Sequence, residues 1–112
     1  MFRILVEIRP NELSTFDTTP VGIIATDRIV EVIEGEIIWM PGAGSSTSDA
    51  KVEIKQNNKK LFTSKNVFND KETSEKVGGY AKEPSPVFVT VSKSLSGLQG
   101  RLVIDLAYEE TA

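Results

Sequence analysis

Apolar and polar residues alternate along much of this chain, beginning at its first residues. Every second residue of the segment 2–9 is apolar, which is the period of a β-strand with one buried face. The apolar face consists of Phe2, Ile4, Val6 and Ile8. The opposite face is charged except for Leu5, which stands among Arg3, Glu7 and Arg9. The pattern predicts a first strand over this segment.

The same period recurs to the C-terminus and predicts about seven or eight short strands. Residues 21–26 and 28–34 are typical of two strands or of one long strand with a bulge, and residues 36–40 continue after Gly35. Residues 50–56 and 59–63 are predicted to form a hairpin, because the Asn57-Asn58 pair between them tolerates the positive φ of a tight turn. Residues 86–92 and 100–110 alternate most regularly.

The remaining segments are polar and carry turn residues. Residues 41–49 are rich in glycine and serine and are predicted to form a loop. Residues 65–83 have no clean period. We consider a short helix over residues 71–77, capped by Asp70 and ended by Gly78-Gly79.

Short alternating strands separated by turn signals are typical of an antiparallel β-sandwich. We therefore predict an all-β protein of the jelly-roll or immunoglobulin-like class. Its 112 residues are predicted to form one domain, with residues 1–20 as a candidate N-terminal strand or arm. The 39% hydrophobic and 26% charged fractions are those of a globular chain.

Histidine and cysteine are both absent, and this changes the functional picture. Without them the usual nucleophile–base pairs, most transition-metal sites and any disulfide are excluded. Paired carboxylates could still serve a glycosidase, from the set Asp27, Glu31, Glu34, Glu36 and Asp105. That reaction also needs a deep cleft with aromatic residues, so we predict a protein that is not an enzyme and has no cofactor.

Two glycine- and serine-rich features are candidate ligand sites. Asp49 beside residues 45–48 offers oxygen ligands, but the spacing of a calcium loop is missing. Gly42 and Gly44 lack the lysine and hydroxyl residues that complete a phosphate-binding loop. We predict no metal site.

The formal net charge of −3 is unevenly distributed. Residues 51–76 hold seven lysines and four acids, a local charge of +3, so the remainder carries −6. The overall sign argues against direct binding of nucleic acid, and no apolar run approaches the roughly 20 residues that span a membrane. The asymmetry could dock one copy against another, or it could reflect a solvated lysine-rich hairpin at a sheet edge.

Five apolar or aromatic residues are candidates for a contact surface: Leu5, Trp39, Met40, Tyr80 and Leu98. Leu5 interrupts a charged strand face and would then either contact a partner or pack beneath a loop of its own chain. Trp39 would stack on a sugar or, as we favour, fill one end of the sandwich. Met40 and Leu98 in neighbouring loops would form an exposed apolar patch.

From Gly35 onwards the order of features resembles that of small β-sandwich virion proteins encoded beside the capsid genes of tailed bacteriophages. The shared features are a Gly-Glu-Ile-Ile-Trp strand at 35–39, a loop closing on Asp49, an Ala-Lys-Val-Glu-Ile strand, a long polar segment and the two closing strands. This resemblance implies a structural role in the virion, as a capsid decoration or head–tail accessory protein. It implies as partners the capsid protein or copies of the same chain in a homo-oligomer. A separate carbohydrate- or protein-binding module that uses Trp39 and Tyr80 is the alternative.

Overall fold

The structure, a computed structural model, describes residues 2–9, 20–26, 28–44, 47–56, 59–81, 86–95 and 98–111, the side chains at positions 32, 33, 79–81 and 111 excepted. These residues form eight β-strands, which confirms the predicted all-β class. The strands are β1 (Phe2–Ile8), β2 (Val21–Ile24), β3 (Ile29–Pro41), β4 (Val52–Gln56), β5 (Lys59–Thr63), β6 (Thr73–Ala81), β7 (Val87–Val91) and β8 (Gly100–Thr111).

The strands pair as a long hairpin rolled into a sandwich. The antiparallel pairs β1–β8, β2–β7, β3–β6 and β4–β5 join the first strand to the last, the second to the seventh, and so on inwards. The pairs β3–β8 and β4–β7 complete two four-stranded sheets, sheet A in the order β1-β8-β3-β6 and sheet B in the order β2-β7-β4-β5. Eight strands in this order form a jelly roll, so the immunoglobulin-like alternative is wrong.

The core lies between the inner faces of the two sheets, where the predicted alternation places it. The inner face of β8 carries Leu102, Ile104 and Leu106, each 0% exposed. Val87, Val89 and Val91 of β7 are buried opposite them in sheet B, in keeping with the alternation of residues 86–92. Burial of such side chains is worth about 1.5–3 kcal/mol each, which makes this layer the main source of stability.

The sequence left open whether residues 21–34 form two strands or one long strand with a bulge, and the structure shows two strands. Residues 21–24 and 29–41 are separate strands in different sheets, and β3 runs through Gly35 without ending. Its register to both neighbours shifts just before Gly35. A β-carbon at Gly35 would lie 2.7 Å from Leu106 Cδ2, so the glycine is needed where three strands pack closely.

The helix considered over residues 71–77 was wrong. Residues 73–81 form strand β6, whose backbone pairs with β3 from Trp39↔Thr73 to Val30↔Ala81. Alternation within the segment directs Val77 inwards, 6% exposed, while Lys76 and Gly78 remain exposed. Pairing with a long neighbouring strand therefore overrides the local capping signal. No helix long and apolar enough to cross a membrane occurs in the described ranges.

Candidate interaction surface

Trp39 belongs to the core and not to the surface. It is 0% exposed, its Nε1 donates a hydrogen bond to the carbonyl oxygen of Asn69 at 3.1 Å, and its ring meets that of Phe68 edge-to-face at 5.0 Å. The favoured interpretation of Trp39 as the residue that closes one end of the sandwich is consistent with this placement. A buried indole offers no face on which a sugar ring can stack.

The exposed apolar patch predicted from Met40 and Leu98 does not form. Leu98 is 3% exposed, and its backbone nitrogen donates to the carbonyl oxygen of the buried Leu95, so this loop turns its leucines into the core. Met40 is partly buried on the outer face of sheet A, with its Sδ 3.4 Å from Arg101 Nη2. The Tyr80 side chain lies outside the described residues.

The predicted loop after β3 is tied to two other loops at the end of the sandwich closed by Trp39. Backbone hydrogen bonds join it to the β7–β8 loop, from Gly42 to Gln99 at 2.9 Å, and to the β5–β6 loop, from Ser48 to Phe68 at 3.0 Å. These bonds fix the described parts of the loop, on either side of positions 45 and 46, although the sequence there is rich in glycine and serine.

Asp49 has a protein cation as its partner. Lys93 Nζ donates to Asp49 Oδ2 at 2.7 Å, and this hydrogen bond, with the charge of Lys93, lowers the pKa of the Asp49 carboxyl. Among the described residues no group of three or more acids, histidines or cysteines is arranged to hold a metal ion. Asp49 thus serves to connect two loops.

Leu5 is the most exposed large apolar side chain that the structure describes. It is 65% exposed and projects from the outer face of β1, the edge strand of sheet A. Its strand neighbours on that face are Arg3 and Glu7, and Asp105 lies opposite it on β8. Of the four candidate contact residues whose side chains are described, Leu5 is therefore the one with an open apolar surface.

The charges beside Leu5 are held in place by β8. Arg3 donates from Nε to Asp105 Oδ1 at 2.9 Å and from Nη2 to Oδ2 at 2.6 Å, a bidentate pair that raises the pKa of the guanidinium. The Arg3 side chain nevertheless remains 69% exposed. Glu7 lies 3.1 Å from Arg9 and 3.8 Å from Arg101, measured from its Oε1 to their nearest nitrogens.

A second exposed apolar residue, the aromatic Phe2, lies at the start of β1. Phe2 is 53% exposed and stacks on Tyr108 of β8, with a centroid distance of 5.6 Å and an interplanar angle of 27°. Burial raises the pKa of the Tyr108 hydroxyl, and the nearby Glu110 adds to the effect. The β1 edge thus presents two large apolar side chains, Phe2 and Leu5, along a strand with fixed charges.

A shallow depression of about 360 Å³ lies on the outer face of sheet A beside this edge. It is lined by Arg3, Glu34, Gly35, Glu36, Lys76, Val77, Asp105 and Ala107. Three of the acids considered for a glycosidase therefore gather here, whereas Asp27 lies outside the described residues. Among the described residues its lining contains no aromatic side chain, and Arg3 engages Asp105, so this described lining does not provide the features that grip and cleave a sugar.

The lysine-rich segment 51–76 is divided between the two sheets. Its lysines at positions 55, 59 and 60 lie in the β4–β5 hairpin at the edge of sheet B, where Lys55 lies opposite Lys60, whereas Lys76 lies in β6 of sheet A. Lys60 Nζ contacts Glu53 Oε2 at 2.7 Å, although Glu53 is only 5% exposed. The acids Glu34 and Glu36 lie on the outer face of sheet A. Basic side chains thus predominate on the β4–β5 hairpin, whereas acidic and basic side chains lie together on the outer face of sheet A.

Comparison with known proteins identifies similarity in structure alone. Neither the family models nor the curated proteins give a match to this sequence. Among solved structures, the chain is similar to one in the acid-stable capsid structure of the Helicobacter pylori bacteriophage KHP30, with a TM-score of 0.56 and 15% sequence identity. The match covers 99% of this chain and 92% of the other. The two chains share a fold along nearly their whole lengths.

Proposed function

We propose that this chain is a structural component of a tailed-phage virion, a capsid decoration or head–tail accessory protein that acts through subunit contacts. The observation that carries the proposal is the end-to-end likeness to a chain of a phage capsid structure, over 99% of this chain and 92% of that one. The likeness therefore extends over the whole sandwich and is not limited to a few strands.

The jelly-roll fold, with its sheet edges and end loops, supports this role. Jelly rolls recur as virus capsid domains, where a rigid sandwich presents sheet edges and end loops to its neighbours. Here the described end loops are tied together by hydrogen bonds, and β1 presents Leu5 and Phe2 at an open edge. These features make the described surface suited to contact with protein.

The alternative, a carbohydrate-binding module, has lost its main support. Jelly rolls also occur as lectin domains, but the tryptophan considered for stacking is fully buried. The depression on sheet A has charged and aliphatic walls, which do not provide a stacking platform for a sugar. We therefore retain the structural role as the proposed function and treat glycan binding as an outcome to be tested.

The test is the protein content of particles made by cells that encode this chain. Particles banded on a density gradient are washed at high salt and analysed by quantitative mass spectrometry. We expect the chain to sediment with the capsid protein at a fixed ratio between preparations. A chain that remains in the soluble fraction, or that binds a glycan array with micromolar affinity as a monomer, would overturn the proposal.

A further inference from the structure

Strand β1 differs from the other three edge strands that the structure describes. Strand β2 has only four residues and a register shift, β5 begins with two lysines and is also shifted against its neighbour, and β6 contains Gly78 and Gly79. Short length, lysines, bulges and glycines are features that keep an edge from pairing with another strand. Strand β1 has seven residues, no lysine and an unbroken register to β8.

The side chains of β1 indicate that its edge is incompletely covered within one chain. Leu5 on the outer face is 65% exposed. Ile4 and Val6 on the inner face remain partly exposed although they pack against the core, whereas Ile8 at the end of the strand is 2% exposed. Apolar side chains are thus open on both faces of one regular edge strand, which is typical of a surface that is covered on assembly.

The sequence of β1 is complementary to itself when the strand is reversed about Leu5. In an antiparallel pair centred there, Leu5 lies opposite Leu5 of the second copy, and Arg3 lies opposite Glu7 in both directions. The inner face pairs Ile4 with Val6 and Phe2 with Ile8. One face therefore matches charge with opposite charge around an apolar centre, and the other face matches apolar residues throughout.

We infer that two copies of this chain pair through β1 around a two-fold axis at Leu5, joining their A sheets into one continuous eight-stranded sheet. A two-fold contact of this kind is isologous, so the same residues serve on both sides. The 69% exposure of the Arg3 side chain leaves it accessible to a second carboxylate while it holds Asp105. The inference rests on the proposed function, because this pairing is one form of the subunit contact that such a function requires.

Single cysteines test the register, because the chain has no cysteine of its own. Residues opposite each other on antiparallel strands have Cα atoms about 4.5–5.5 Å apart, within reach of a disulfide. Leu5→Cys is therefore expected to cross-link to itself under mild oxidation. Arg3→Cys and Glu7→Cys are expected to cross-link when mixed but not alone, since each position lies about 13 Å along the strand from its own copy.

Ser74→Cys is the matched control, an exposed position at the other edge of the same sheet. We expect Leu5→Cys to form covalent dimers at least tenfold faster than Ser74→Cys. Equal rates for these two variants would overturn the pairing. Self-cross-linking of Arg3→Cys or Glu7→Cys at the rate of their mixture would also overturn it. The assay uses the isolated protein, so its failure is separate from a failure of the particle experiment.

Discussion

Gly100 lies at the start of β8, directly against the indole ring of Trp39. Its φ of 147° belongs to the region that side chains rarely adopt. A β-carbon there would approach the carbonyl oxygen of Met40 to 2.5 Å and the Trp39 ring to 2.7 Å. The position is therefore restricted to glycine for two independent reasons, backbone conformation and the space taken by the buried tryptophan.

Substitution of Gly100 by alanine should therefore cost more stability than substitution at an open glycine. Gly44 also has a positive φ, 74°, but a β-carbon there would meet no atom within 4 Å. We expect Gly44→Ala to cost about 1–3 kcal/mol from backbone conformation alone. Gly100→Ala should cost about 1–3 kcal/mol more from the close contact. Urea unfolding measures both, and equal losses would show that the indole ring moves aside freely.

Individual side chains differ in how far the sequence predicted their positions. Period-2 alternation places Trp39 beside Ile37 on the inner face of β3, so its burial could be inferred. The burial of Leu98 could not, because it depends on how the β7–β8 loop packs against two others. The exposure of Leu5, in contrast to the burial of Leu98, is consistent with its position on the charged face of an alternating strand.

Strand β8 is the element in which alternation controls burial most strictly. Ile104 is fully buried on the inner face, and the adjacent Asp105 lies on the outer face with its side chain 20% exposed. We expect Ile104→Ala to lower the free energy of unfolding by about 2–5 kcal/mol through the cavity it leaves. Asp105→Ala removes a surface ion pair with Arg3 and should cost much less. Similar losses in denaturant unfolding would contradict the assignment of faces.

Elements whose partners are distant in sequence were predicted least well. The segment 70–79 carries a capping residue, Asp70, and a glycine pair that favour a short helix locally. Its actual conformation is determined by β3, which offers a row of backbone groups from Val30 to Trp39. The regular strands could be predicted because their own alternation matches one buried and one exposed face of a sandwich. Strand β6 could not be predicted, because its alternation is weak and its conformation depends on pairing with β3.

The whole molecule is organised by strand pairs that the sequence alone does not reveal. The outermost pair is β1–β8, in which Phe2 lies opposite Tyr108, and the innermost pair is the local β4–β5 hairpin. Of these pairs only β4–β5 joins strands that are consecutive in the sequence, so the sequence predicted a sandwich but could not decide between a jelly roll and an immunoglobulin-like fold. The same topology makes β1 an edge strand, and the candidate contact surface is a consequence of that position.

The central claim is that this jelly roll acts through contacts made by its β1 edge, and the mass of the protein in solution tests it most directly. Multi-angle light scattering should give the wild-type protein a mass of twice the 12.3 kDa of one chain. Leu5→Glu places like charges opposite each other at the two-fold axis, so this variant should have the mass of one folded chain, with an unchanged circular dichroism spectrum. The matched control, Phe88→Glu, alters a 36% exposed aromatic residue on sheet B and should leave the dimer intact. A wild-type mass of one chain, or an unchanged dimer in Leu5→Glu, would contradict the account.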